Sequence, residues 1–221
     1  HTGDSSAAKE MARQNVAAWE ESGQPWLVQN AGGCGAALRE YGGWLADEPA
    51  WAERAARFSR AVRDWTELVE VRPVPRARAD GTAVGGVHSV TSGVPCVTYQ
   101  DSCHLRNAQG VWREPRAALQ AAAGGAYREL PAADACCGSA GIYNFTHYET
   151  SMRLLDLKMK AVAATGAQVI TANNPGCLMQ MRLGVARSGL GDRVTVMHLA
   201  QYVRQALQSA QATVSAREPA R

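Results

Sequence analysis

Apolar residues at helical spacing open the chain. Met11, Val16 and Trp19, together with Asn15, recur through Lys9 to Glu21, and Gly23 and Pro25 stop the run. Trp26 to Val28 reads as a short buried strand, followed by the turn Asn30-Ala31-Gly32-Gly33-Cys34-Gly35. From about Pro49 to Val69, the spacing of Trp51, Ala55, Phe58, Val62, Trp65 and Leu68 predicts one long amphipathic helix with a core-facing stripe. Between Arg72 and Gly93 no period persists, and Pro, Gly, Ser, Thr and Arg give the composition of a connector. Beyond it, strands are expected at Val94 to Tyr99, Tyr127 to Leu130, Gln168 to Thr171 and Arg193 to Met197. Helices are expected at Glu114 to Ala123, Glu149 to Thr165, Cys177 to Arg187 and Leu199 to Gln208. This alternation predicts an α/β fold with a parallel sheet covered on both faces. The expected organisation is a first domain at 1–71, a linker at 72–93, a second domain at 94–208 and a disordered polar tail at 209–221.

An offset of 143 residues superposes part of the chain on itself. Cys34 then meets Cys177, Gly33 meets Gly176, Asn30 meets Asn173, Leu27 meets Ile170 and Val16 meets Met159. The unit helix, strand, Asn-x-x-Gly-Cys therefore occurs twice, which points to duplication.

Composition narrows the function. With 46% hydrophobic and 19% charged residues in 221, the chain can bury a core, and disorder throughout is excluded. Its apolar runs fall well short of the roughly 20 residues that span a bilayer. A net charge of +3 is too mild to imply a nucleic-acid partner, and none is expected; Arg72, Arg76 and Arg78 lie between prolines without interleaved aromatics. There is no glycine fingerprint for a dinucleotide, no phosphate loop and no serine elbow. The start at His1, without initiator Met or signal core, reads as the interior of a longer polypeptide.

The chemistry lies in six cysteines, at 34, 96, 103, 136, 137 and 177, too sparse for a small disulfide framework. Cys103, the Cys136-Cys137 pair and Cys177 each follow an expected strand, so an open parallel sheet would gather them at its carboxyl edge. Cys103 and Cys177 sit at or just before helix amino-termini, which favours the thiolate that metals require. Cys103 is separated from Cys136 by 32 residues, and Cys137 from Cys177 by 39. By residue type alone, an iron-sulfur cluster, a structural zinc and metal-free thiols all remain open. Cys96, inside an apolar strand, is expected to be a small buried hydrophobe. His104 either tunes a neighbouring sulfur or is a plain turn residue, and His198 is expected to cap or pack. His88 and His147 have no evident partner.

The segments Thr98-Tyr99-Gln100-Asp101-Ser102-Cys103-His104-Leu105, Cys136-Cys137-Gly138-Ser139-Ala140-Gly141 and Asn174-Pro175-Gly176-Cys177-Leu178-Met179-Gln180 resemble the CCG cysteine-rich domain of heterodisulfide reductases, lactate-utilisation proteins and the iron-sulfur subunits of bacterial glycolate oxidases. The form Cys-Cys-Gly-Ser-Ala-Gly-x-Tyr-Asn, ending at Asn144, is most similar to the last group. The resemblance implies tandem Rossmann-like or flavodoxin-like parallel-sheet domains, the first incomplete. It also implies an iron-sulfur cluster, [4Fe-4S] in type, on Cys103, Cys136, Cys137 and Cys177, with Cys34 left from a first site. A partner subunit would carry FAD and oxidise glycolate to glyoxylate, and electrons would pass toward a quinone or membrane acceptor. The implied location is cytoplasmic, with peripheral contact to the inner face of the cell membrane as a further expectation. Two alternatives stand beside this: a lactate-utilisation or heterodisulfide-type subunit, and a zinc-stabilised interaction module without redox activity. Gln180 stands where the heterodisulfide pattern has its last cysteine, which weighs against that alternative.

Overall fold

A computed structural model of the protein describes residues 3–71, 73 and 95–215. The first unit opens with helix α1 (Ser5–Ser22). The Asp4 carboxylate caps it by accepting the Ala7 N–H at 2.9 Å, and Gly23 ends it at a left-handed φ of 63°. Strand β1 (Leu27–Gln29) and helices α2 (Gly32–Arg39), α3 (Tyr41–Trp44) and α4 (Ala52–Ala61) follow, then strand β2 (Val62–Asp64) and the short helix α5 (Trp65–Leu68). β1 and β2 pair in parallel, with Leu27 opposite Val62. Ala12, Val16, Tyr41, Leu45, Ala55, Phe58 and Val62 form the core, in which the Tyr41 and Phe58 rings stack at 5.3 Å.

Two expectations are corrected here. The long helix from Pro49 to Val69 is broken at Val62–Asp64, where the chain extends to give β1 a partner. Buried Asp64 then restarts a helix through a capping box with Glu67. The expected stripe divides accordingly. Trp51, Ala55, Phe58 and Val62 serve the first core, whereas Trp65 packs against the second unit and Leu68 is exposed. Trp26 to Val28 is not a buried strand either. Alternation turns Leu27 to the core and Val28 away from it, and Trp26 lies largely in solvent beneath the Arg63 guanidinium.

The second unit contains strands β3 (Val97–Tyr99), β4 (Val169–Ala172) and β5 (Thr195–His198), all parallel in the order β3-β4-β5. Helices α8 (Tyr148–Thr165) and α9 (Pro175–Arg187) cover one face through Leu155, Met159, Ile170, Met181 and Val185. Helices α6 (Arg113–Ala123) and α10 (Leu199–Ser215) cover the other through Val97, Leu119, Val169, Leu199 and Tyr202. A π-helical turn (His104–Ala108) follows β3, and the short α7 (Tyr143–Thr146) precedes α8. The fold is α/β. Instead of the strand expected at Tyr127 to Leu130, Tyr127 alone makes a parallel bridge to Val97, and Leu130 leaves the sheet to fill the core. Residues Ser209–Ser215, expected to be unstructured, continue α10. The linker expected at 72–93 lies outside the described residues except for Pro73, as does 216–221.

The internal repeat is structural. α1 and α8 are both 18 residues long and start and finish at the offset of 143, and Gly166, like Gly23, adopts a left-handed cap. β1 and α2 stand to α1 as β4 and α9 stand to α8. The carboxyl ends of the two sheets face each other. Gly32 N–H donates to Asn173 O at 2.9 Å, and His198 Nε2–H donates to Asn30 O at 2.7 Å. Because His198 Nδ1 accepts the Ala200 N–H, the proton belongs on Nε2.

Candidate metal centre

Three segments of the second unit deliver sulfur to one place. Cys103 follows β3 at the start of the π-turn, Cys136 and Cys137 lie in the loop before α7, and Cys177 lies in the first turn of α9. The four form a row. Cys103 neighbours Cys136, and Cys137 neighbours both Cys136 and Cys177, each pair close enough for one thiol to perturb the other's ionisation. Cys137 and Cys177 are buried, and Cys103 and Cys136 are partly exposed. Among the described residues no three or more Cys, His, Asp or Glu side chains are already in chelating geometry. The thiols are gathered as electrostatically interacting neighbours.

Interaction with Cys103 and Cys137, together with the Gly138 N–H at 3.3 Å, holds the Cys136 thiol well below its usual range. Interaction with Cys137, aided by Asn174 Nδ2–H at 3.7 Å, lowers Cys177. Cys103 and Cys137 are raised by the sulfurs beside them, and burial adds to the effect. Such a set of four soft donors suits iron-sulfur or zinc chemistry, and ligation would require the thiols in their deprotonated form.

The surrounding shell explains why the loops converge. Gln100, buried at the end of β3, places Nε2 within hydrogen-bond distance of the carbonyls of Asp101, Ala133 and Ala135, at 2.9, 3.0 and 3.1 Å. It ties the loop before Cys136 to the segment that carries Cys103. Asp101, 3% exposed, is held by Arg106 at 3.0 Å and Arg116 at 2.8 Å. Lys158, only 4% exposed, reaches from α8 to the Ala132 carbonyl at 2.5 Å, pinning a residue in left-handed backbone; burial lowers its pKa. Gly138, at φ 94°, turns the chain against α8, where Ser151 Oγ donates to its carbonyl at 2.7 Å. Gln180 is buried behind that turn and donates to Ser151 Oγ at 3.0 Å. The position expected to lack a cysteine therefore carries a structural hydrogen bond.

Cys34 is exposed in the first turn of α2, outside the row of four. Its glycines serve contact between units more than a turn around a thiol. A Cβ at Gly32 would run into Ser102 Oγ, and one at Gly35 would lie 2.5 Å from the Gln29 amide and 2.8 Å from Gln109 Nε2. Cys96 lies just before β3, at the opposite end of the sheet from the four thiols, and is partly buried rather than enclosed. His104 Nδ1 is 3.6 Å from Cys103 Sγ. His147 stacks on Tyr143 at 4.4 Å, His198 caps α10, and His88 lies outside the described residues. Gln100, Asp101 and Asn174 stand inside the motif segments but their roles were not assigned from the sequence, and Lys158 was not singled out at all. Their signal was adjacency to the cysteine segments or, for Lys158, a cation on an apolar helix face.

The Cysteine-rich domain model, CCG, matches residues 1–39 and 97–182, more than half of the chain and every one of these cysteine segments. The chain belongs to the CCG cysteine-rich domain family. The two matched stretches of this CCG protein contain the two copies of the repeated unit. It is 44% identical over 93% of its length to a protein of Bacillus subtilis (strain 168) named "Probable glycolate oxidase iron-sulfur subunit", of which it covers 44%. It is 28% identical over 91% of its length to "Lactate utilization protein A 2" of Bacillus mycoides (strain KBAB4), covering 78% of that protein. "Lactate utilization protein A" of Bacillus cereus (strain G9842) is likewise 28% identical, with the same coverage. The CCG chain thus spans less than half the length of the Bacillus subtilis relative.

Proposed function

We propose that this CCG chain is the electron-transfer part of an iron-sulfur subunit in a glycolate-oxidising complex, with Cys103, Cys136, Cys137 and Cys177 holding the cluster. The observation that supports the reading most is that four thiols from three separate segments lie close enough to perturb one another's ionisation. The 44% identity to a glycolate oxidase iron-sulfur subunit supports the reaction, and the 28% relatives give no reason to prefer a lactate-linked one. Four cysteine ligands suit a [4Fe-4S] cluster, which supplies one-electron chemistry when bound. The chain's own part is to keep Cys137 and Cys177 out of water, to aim the Gly138 and Asn174 N–H donors at sulfur, and to anchor the loops through Gln100 and Lys158.

In this reading a flavin-bearing partner subunit oxidises glycolate to glyoxylate, and the electrons leave through this chain toward a quinone or membrane acceptor. Cys34 belongs to a second site that needs ligands from elsewhere. The protein works in the cytoplasm, in peripheral contact with the membrane. No helix among the described residues is long and apolar enough to cross a bilayer.

Anaerobic purification tests the reading. A brown protein containing iron and acid-labile sulfide is expected. A colourless protein with one zinc per chain would instead support the non-redox scaffold.

A further inference from the structure

Asn174 lies between the two repeated units and is used in an unusual way. It occupies the N-cap of α9 in extended backbone, with φ −152° and ψ 128°, yet its side chain makes no capping hydrogen bond. Oδ1 accepts the Gly33 N–H of the first unit at 3.1 Å, and Nδ2 donates to Cys177 Sγ at 3.7 Å. One amide thus joins the helix carrying Cys34 to a sulfur of the four-thiol row. The position equivalent by the repeat is Ala31, and α2 forms behind it all the same. The strand-turn-helix unit therefore does not need an amide here to fold.

We propose that Asn174 is a positioning residue that sets the reduction potential of the cluster through its N–H···S hydrogen bond, and that its grip on Gly33 fixes the direction of that bond. The proposal rests on Cys177 being a ligand. A donor to ligand sulfur stabilises the more negative, reduced state and so raises the potential. With Oδ1 held by Gly33, Nδ2 is the atom left to face sulfur, and Gly33 keeps it there. The backbone of Gly176 comes close to the same amide: a Cβ there would lie 2.9 Å from Ser139 Oγ and 3.3 Å from Asn174 Nδ2, so a side chain at 176 would crowd it.

The test compares the anaerobically purified chain with Asn174→Ala and Asn174→Asp. The readouts are redox titration followed by electron paramagnetic resonance, and hydrogen exchange at the Gly33 amide. Asn174→Asp keeps an acceptor for Gly33 but loses the donor and adds negative charge, whereas Asn174→Ala loses both contacts. Both variants should keep the wild-type iron content, with the midpoint potential lowered in Ala and lowered further in Asp. Gly33 exchange should quicken in Ala alone. Potentials equal to wild type in both loaded variants would overturn the proposal, and so would failure of both to hold iron, since Asn174 would then serve assembly. A wild-type chain without iron and sulfide would refute the ligand assignment itself, an outcome visible before any variant is compared.

Discussion

Replacing Gly138 with alanine should damage the cysteine loop far more than the same change three residues on. At φ 94° an L-residue meets backbone strain worth about 1–2 kcal/mol. The new Cβ would also lie 2.5 Å from the Ser151 carbonyl oxygen and 3.1 Å from both Ser151 Oγ and Gln180 Nε2. The first of these atoms is backbone of α8 and cannot swing aside, so overpacking adds about 1–3 kcal/mol. The expected loss is therefore about 2–5 kcal/mol. Gly141 also has positive φ, 63°, but a Cβ there meets nothing within 4 Å, so Gly141→Ala should cost only the strain, about 1–2 kcal/mol. Urea unfolding of the metal-free proteins, followed by circular dichroism, measures both. Because the Gly138 N–H faces Cys136 Sγ, Gly138→Ala should also retain less iron after reconstitution. Equal unfolding midpoints for the two variants would refute the claim that the loop is seated against α8 through this glycine.

Two further outcomes follow from the same packing. Gly32→Ala forces a methyl into Ser102 Oγ and within 3.1 Å of Leu105 Cβ, so it should cost about 1–3 kcal/mol and loosen the contact between units. Gly43→Ala, in open space on α3, should be neutral or slightly stabilising; equal effects in urea unfolding would contradict the close approach. Asp64 is fully buried, and burial raises its carboxyl pKa despite the Thr66 N–H and O–H donors. Folding therefore favours the protonated form, and the cost of the buried charge is fully present above the folded pKa and relieved as pH falls through it toward 3.8. Wild type should gain stability relative to Asp64→Asn as pH is lowered through that window, and a difference independent of pH would contradict it.

Much of this architecture is legible in the sequence because its signals are local. The helix at Glu149 to Thr165 announces itself by periodicity and by the glycine that ends it, and the structure extends it by one residue, to Tyr148. The repeat is legible because the Asn-x-x-Gly-Cys turn and its distance from the preceding helix were both duplicated. The break at Val62–Asp64 was not legible. Three extended residues followed by a capped turn leave the apolar spacing helical, and only pairing with the distant β1 decides for strand. Tyr127 to Leu130 failed in the opposite sense, because Leu130 is required by the core more than by a ladder. At the site, motif spacing identified the four cysteines that meet. The groups that hold them could not be read off: Gln100 reaches a carbonyl 33 residues away, Lys158 one 26 away, and Asp101 an arginine 15 away, and ordinary polar residues announce no such partner.

The most direct test of the account is iron and acid-labile sulfide per chain in anaerobically reconstituted Cys103→Ser, Cys177→Ser and Cys96→Ser. Cys103 and Cys177 stand at the two ends of the row of thiols, and Cys96 lies at the far end of the sheet. Loss of the cluster from the first two, with near wild-type loading in the third, is the expected result. The same iron content in all three would contradict it.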